Sequence, residues 1–334
     1  MKIAVIVNGQ AGYADRGLIE KSVRASLFRC DLEFHSPSSI EELQAVIVSV
    51  ADKVDVLMIC GGDGTLNTAV QPLLKARSSL SKLPTICTLP VGTANDLARE
   101  MGISSSIERA ARLVLEGEVK KIDIIEIESG GVRKYMLTNG GLGIPAVTAE
   151  LVNRMRHWVI SKADCEFTEP QWKPPLKLAK KIIKKAGMRI YELALAGQLT
   201  QWDSTTWKVE IEIPGLTKFD TCAPFIMINN QPGVGGTFKP APFTNNSDGT
   251  FNVMMLQALD LYSQTKTLLK IRRGGIPDEV DCPRFETSSC VIRRLPGSRA
   301  LTFFGDGEIL FKDVDELRIR CLAGELPIFV KRSA

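Results

Sequence analysis

Residues 61–67 read Gly61-Gly62-Asp63-Gly64-Thr65-Leu66-Asn67 and follow the mostly apolar run 54–60. These residue types in this order can hold a phosphorylated ligand. Glycine lets the backbone approach a bulky anion and tolerates left-handed dihedrals. The free N–H groups at the start of a following helix can then grip phosphate. Asp63, set among glycines, repels that phosphate unless a divalent cation sits between them. The alternative is a tight strand-to-helix turn with no ligand.

A second stretch repeats the pattern: Leu89-Pro90-Val91-Gly92-Thr93-Ala94-Asn95-Asp96-Leu97-Ala98-Arg99. Asn95 and Asp96 can each be a plain helix cap. With Asp63 on the same sheet edge they make a candidate metal and phosphate site. A third carboxylate, Asp123, opens the next apolar run and either joins that set or faces solvent at a strand edge. The chain lacks the Gly-Lys-Ser/Thr ending of a Walker A loop, so the phosphate chemistry is not that of a P-loop.

The elements that position these loops alternate over the first part of the chain. Apolar, β-branched runs at 3–7, 54–60, 84–91 and 122–127 fit parallel strands covered on both faces. Helical patterns lie near 17–28, 40–53, 95–101 and 107–116. Ser39 with Glu42 and Ser105 with Glu108 read as capping boxes, and Gly102 and Gly117 as helix stops. Pro72 should kink or shorten the helix after Thr65. The alternation predicts an α/β domain with a doubly wound parallel sheet, whose C-terminal strand ends bring the loops at 61–67 and 91–96 together.

After residue 128 the pattern changes. Ser129-Gly130-Gly131 reads as a hairpin turn, helical stretches follow near 146–156 and 176–186, and from Trp207 onward short strands alternate with turns such as Asp248-Gly249 and Asp306-Gly307. The expected layout is an N-terminal nucleotide-binding domain over 1–127, a C-terminal β-rich sandwich over 128–322, and a tail over 323–334 that returns to the first domain.

Composition sets the outer bounds. The 334 residues carry a formal net charge of +4, with 44% hydrophobic residues, which is ordinary for a globular protein and gives no argument for nucleic acid. The eight cysteines contain no CxxC pair and there are two histidines, so a zinc site is not expected. Scattered thiols fit a reducing, cytoplasmic setting. No apolar run reaches the length of a membrane span.

Gly61–Thr65, followed by Pro-x-Gly-Thr-x-Asn-Asp-x-Ala-Arg at 90–99, resembles the diacylglycerol kinase catalytic-domain family, which includes sphingosine and ceramide kinases and bacterial soluble lipid kinases. The first motif is shared with NAD kinases; the second is closer to the lipid kinases. Asn8-Gly9-Gln10-Ala11-Gly12 is similar to the family's opening segment, with Gly9 in place of a proline. Residues 139–146, the Gly233–Gly236 stretch and Gly305-Asp306-Gly307-Glu308 continue the resemblance. It implies an ATP- and Mg²⁺-dependent kinase acting on a lipid hydroxyl at a membrane surface, peripheral and cytoplasmic, with a homodimer compatible. Asn8, Gly12, Gly61, Gly62, Gly64, Thr65 and Thr93 would hold ATP. Asp63, Asp96 and Asp123 would form a water–Mg²⁺ network, and Glu308 would be the general base. Asp248, with Asn245 and Thr250, would bind a second, structural Mg²⁺. The alternatives are an NAD kinase-like phosphotransferase and a nucleotide- or lipid-binding protein without turnover. Finally, residues 176–186 place five lysines on one helical face and apolar residues on the other. That pattern fits either a solvated helix face or a contact with an anionic bilayer.

Overall fold

The computed structural model describes residues 1–7, 16–92, 94–164, 194–195, 197–198, 207–236, 238–257, 260–276 and 282–332. The 176–186 stretch, Asn8, Gly12 and Thr93 lie outside the described residues.

Strands β1 (Lys2–Val7), β2 (Asp31–His35), β3 (Val56–Gly61) and β4 (Thr85–Pro90) pair in parallel in the order β2-β1-β3-β4. Ile3–Val7, Val56–Cys60 and Ile86–Leu89 are buried with almost no polar interruption, as strands covered on both faces must be. Helices α1 (Arg16–Ser26), α2 (Ile40–Val50), α3 (Asp63–Lys75), α4 (Asp96–Glu100) and α5 (Ile107–Glu116) alternate with them. Helix α1 packs on α5, and α2 on α3. Ser39 caps α2 by accepting from the Glu42 N–H, but the Glu42 carboxylate reaches back to Ser38. The cap of α5 is Ser106, one residue after the expected Ser105. Helix α3 runs through Pro72 and ends one turn later, at Lys75, so the proline falls close to the end of the helix rather than in its middle.

The second half begins in a long strand. Strand β5 (Glu118–Ser129) contains the run expected as a fourth parallel strand, but it runs antiparallel to β16 (Glu316–Val330) along most of its length. The parallel neighbour of β4 is instead the end of β16, where Ile328 sits opposite Ile86. Periodicity could not reveal this, because a strand 12 residues long reads the same in either direction. Strands β5 and β16 thus pass through both halves of the fold.

Between them come β6 (Val132–Met136), β7 (Asn139–Gly143), α6 (Ile144–Asp164), β8 (Lys208–Ile213), β9 (Thr217–Cys222), β10 (Phe225–Asn229), β11 (Phe251–Leu256), α7 (Leu261–Arg272), β12 (Arg284–Thr287), β13 (Ser289–Arg294), β14 (Leu301–Gly305) and β15 (Glu308–Val314). Gly130 and Gly131 turn β5 into β6 with positive φ at both residues, as a two-residue hairpin requires. Strands β13, β8 and β9 extend the first sheet, while β12-β11-β10-β7-β14-β15 form an antiparallel second sheet. Ile125, Ile127, Ile211, Ile228, Val253, Ile292, Phe303 and Ile319 fill the space between the two. Helices α6 and α7 cover the outer face of the second sheet through Ala146, Ala149, Leu268 and Ile271, which pack with Phe225, Met227 and Met254.

Candidate active site

Strands β3 and β4 end side by side, with Gly61 opposite Pro90. Their loops then cross so closely that a side chain on Gly92 would begin 2.4 Å from the Gly62 Cα. That approach is the steric reason for glycine in both loops. Asn95 takes a left-handed conformation (φ 52°). It is not a side-chain cap: its amide accepts from the Gly92 N–H and donates to the carbonyls of Pro90 and Gly92, which locks the second loop to the strand end.

The cap of α4 comes from the other loop. Asp63 accepts from the N–H groups of Asp96 (3.0 Å) and Leu97 (3.4 Å). One carboxylate, at the first position of α3, therefore ties both phosphate-type loops together. Asp96 turns toward the second half of the chain, where it accepts from the Gly235 N–H at 2.6 Å and from Arg99 at 2.9 Å. Its side chain is 12% exposed. Burial, followed by the neighbouring Asp63 charge, holds the Asp96 carboxyl above the usual range, and Gly235 and Arg99 pull it back only in part. Two adjacent carboxylates under mutual repulsion are what a divalent cation would relieve.

Asp123 is not part of that pair. It is buried, and its oxygens accept at 2.7 Å from the N–H groups of Gly249 and Gly324. The solvent-facing reading made from sequence gives way to a buried carboxylate that clamps β5 to the 248–249 turn and β16. Burial first, then the Asp123 and Asp248 charges, pushes the Cys321 thiol beside them up to about 12. Asp248 accepts from the N–H (3.0 Å) and hydroxyl (2.8 Å) of Thr250, a self-contained Asx turn, and Asn245 accepts from Ser247. Among the described residues no three acidic, histidine or cysteine side chains are grouped to hold a metal ion.

Glu308 comes from the opposite side. Asp306 and Gly307 turn β14 into β15 with φ of 53° and 84°, and this places the exposed Glu308 at the start of β15. Its Oε1 lies 3.8 Å from where a side chain on Gly64 would begin. The carboxylate therefore faces the first turn of α3, the N-terminal end that favours an anion. Thr65 is buried under the loop, against the space where a Gly61 side chain would go.

Asp306 holds this tip in place. It is buried and accepts from the N–H groups of Leu137 (2.9 Å) and Thr138 (2.8 Å), from the Thr138 hydroxyl and from the Asn67 amide. Burial pushes its carboxyl up, while these donors draw it down. Asn67 lies on α3 one turn after Asp63, so a single hydrogen-bond chain links the Gly-rich loop to the tip that carries Glu308. Asn139 adds a second tie, accepting from Asn230 (3.0 Å) and Gln231 (3.3 Å) and donating to the Gly233 carbonyl (2.7 Å). Sequence reasoning missed the roles of Asn67, Thr138 and Asn230. The signal available was polar residues at the ends of apolar runs, where a buried amide must find partners.

Residues 2–127 match the family model described as the diacylglycerol kinase catalytic domain. The diacylglycerol kinase of Bacillus subtilis is 28% identical over 221 residues, which is 66% of this chain and 61% of that protein. A probable YegS-like lipid kinase of Shewanella frigidimarina is 35% identical over 122 residues, 36% of this chain and 38% of its own. The chain thus aligns with less than two thirds of the length of these relatives. A solved diacylglycerol kinase structure from Bacillus anthracis superposes with a TM-score of 0.67 at 18% identity, covering 99% of this chain and 97% of the other, which shows a shared fold. Over residues 2–127 the chain is thus similar to the diacylglycerol kinase catalytic domain.

Proposed function

We propose that this protein is a lipid kinase that passes the γ-phosphate of ATP to a lipid hydroxyl with the help of Mg²⁺. The observation that carries the reading is the Glu308 carboxylate facing Gly64, at the N-terminal end of the helix that follows the Gly-rich loop. A base on one side and an anion-binding helix end on the other leave a place between them for a hydroxyl and a phosphoryl group to meet.

Phosphoryl transfer needs positioning and charge neutralisation more than covalent help from the protein. The N–H groups of the Gly61–Gly64 loop would hold the phosphates, with Asn8, Gly12, Thr65 and Thr93 proposed to line the rest of the nucleotide site. Asp63 and Asp96 fit a cation: they are adjacent carboxylates, and Asp96 is raised by burial and by Asp63. When bound there, Mg²⁺ would neutralise phosphate oxygens. Glu308 would accept the proton of the lipid hydroxyl, since an alcohol of high pKa reacts faster with a base in reach. Asp306 keeps that base aimed. Asp123 is proposed as a support for β5 and β16 near the site rather than a ligand, and the Asp248 turn takes no part in the proposed step.

The test is ATP turnover against diacylglycerol, phosphatidylglycerol, a sphingoid base and NAD, with wild type and Asp63→Asn. Turnover of one of the lipids that is lost in Asp63→Asn supports the reading. Turnover of NAD alone overturns it.

A further inference from the structure

We infer that the outer face of α7 is the surface by which this protein rests on an anionic bilayer, an inference that builds on the lipid-kinase reading. Helix α7 has two unlike sides. Gln264, Thr267, Leu268 and Ile271 are buried, with Leu268 and Ile271 packed on the second sheet. Tyr262, Lys266, Leu269, Lys270 and Arg273 recur at spacings of three and four, and so share the opposite face. That face is exposed: Tyr262 is 75% accessible and Leu269 45%. It borders a shallow groove of about 520 Å³, and Ile276, also exposed, follows the helix end.

The mixture is specific. An apolar face would suit a protein partner or a fold contact, and a purely charged face would suit solvent. Tyrosine and leucine interleaved with lysines and arginine suit the boundary between headgroups and acyl chains. There the lysine stems lie along apolar surface while their ammonium groups reach anionic lipid. No carboxylate interrupts the helix from Leu261 to Arg272. Asp260, at its start, is spent on capping, accepting from the N–H groups of Tyr262 and Ser263 and from the Ser263 hydroxyl. The next acids, Asp278, Glu279 and Asp281, lie outside the described residues.

The surface also adjoins the candidate site. Gly274, just past α7, lies against Lys239, whose Cδ is 3.8 Å from where a Gly274 side chain would begin. Lys239 follows the Val234–Phe238 bridge, and inside that bridge Gly235 donates to Asp96. Four residues on, Phe243 is 83% exposed. A bilayer resting on α7 would therefore sit beside the chain segment that touches Asp96.

The experiment uses the full chain and two kinds of vesicle, pure phosphatidylcholine and equimolar phosphatidylcholine with phosphatidylserine. Wild type is expected to sediment with the anionic vesicles far more than with the neutral ones. The variant Lys266→Gln/Lys270→Gln/Arg273→Gln should lose about a hundred-fold in partition onto anionic vesicles, three basic groups each contributing about a five-fold factor near such a surface. Tyr262→Ala/Leu269→Ala should weaken what remains on both kinds. All these side chains are exposed, so unchanged melting temperatures are expected and are checked first. Unchanged partition of the triple variant overturns the inference. The lipid-kinase reading is separated by turnover of a short-chain, monomeric acceptor, which should not respond to the triple variant. If no lipid is turned over while partition still falls, docking stands and the kinase reading fails.

Discussion

Replacing Asp306 with asparagine tests whether the tip that carries Glu308 is held as the structure shows. In the native protein each Asp306 oxygen accepts two hydrogen bonds: Oδ2 from Leu137 and Asn67, Oδ1 from Thr138 twice. An amide keeps one oxygen. Its least costly orientation turns the NH₂ toward Thr138, whose hydroxyl can rotate to accept. The Thr138 N–H is then left facing a donor. One buried donor without a partner costs about 1–3 kcal/mol, and the two surviving bonds weaken by about 0.5–1 kcal/mol each once the acceptor is neutral. Against this, burial disfavours the charge, so the neutral amide recovers part of the loss. The net expectation is a loss of about 2 kcal/mol. Asparagine tolerates the left-handed backbone at this position, so turn strain does not confuse the comparison. Because Glu308 follows two residues later, kcat should fall by about a hundred-fold, the scale of an ångström-sized misplacement, with KM for ATP nearly unchanged. Urea unfolding gives the stability and steady-state phosphorylation gives the split between kcat and KM. A variant with native stability and native kcat would refute the reasoning.

Other expectations follow from the same geometry. Gly92→Ala should disturb both loops at once, since its side chain would begin 2.4 Å from the Gly62 Cα; a lower melting temperature and weaker ATP binding are expected together, and a native melting temperature would contradict the crossing. Gly64→Ala should leave the fold intact, because among the described residues its side chain meets only Glu308 Oε1 at 3.8 Å and alanine is the better helix former by about 1 kcal/mol; the KM for ATP should rise while the melting temperature does not fall. Asp96 titrates above its ordinary 3.8 in the fold. Its contribution to stability is therefore fully present below that value and is lost as pH rises through the raised one. Asp63→Asn removes one cause of the shift, so stability measured against pH should decline less steeply in the variant than in wild type, and parallel curves would contradict the coupling.

The two loops were legible because each combines a fully apolar strand with glycines whose absence of side chains is a steric necessity, a pattern that few other folds need. The Asp306-Gly307 turn was legible for a similar reason, since both residues take positive φ. Strand β7 was not. Gly140, Gly141 and Gly143 argue against a strand by propensity, yet a side chain on Gly141 would begin 2.1 Å from the Ile226 carbonyl oxygen; the glycines there answer to strands distant in sequence. Helix α7 escaped notice because its buried face is interrupted by Gln264 and Thr267, which blurs the apolar period. The burial of Asp123 was not legible because its partners, Gly249 and Gly324, lie more than 120 residues away. The pairing of Asp63 with the first turn of α4 depends on two loops 30-odd residues apart, and no local pattern encodes it.

The most direct test of the account is transfer of label from γ-labelled ATP to lipid by wild type and Glu308→Gln. Glutamine keeps the size of the side chain that faces Gly64 but cannot accept the hydroxyl proton. Label should appear on a lipid with wild type and fall by about 10²–10⁴-fold in the variant, the range for loss of a general base, while ATP binding stays native. Label reaching lipid as fast with Glu308→Gln as with wild type, or reaching only NAD, would contradict it.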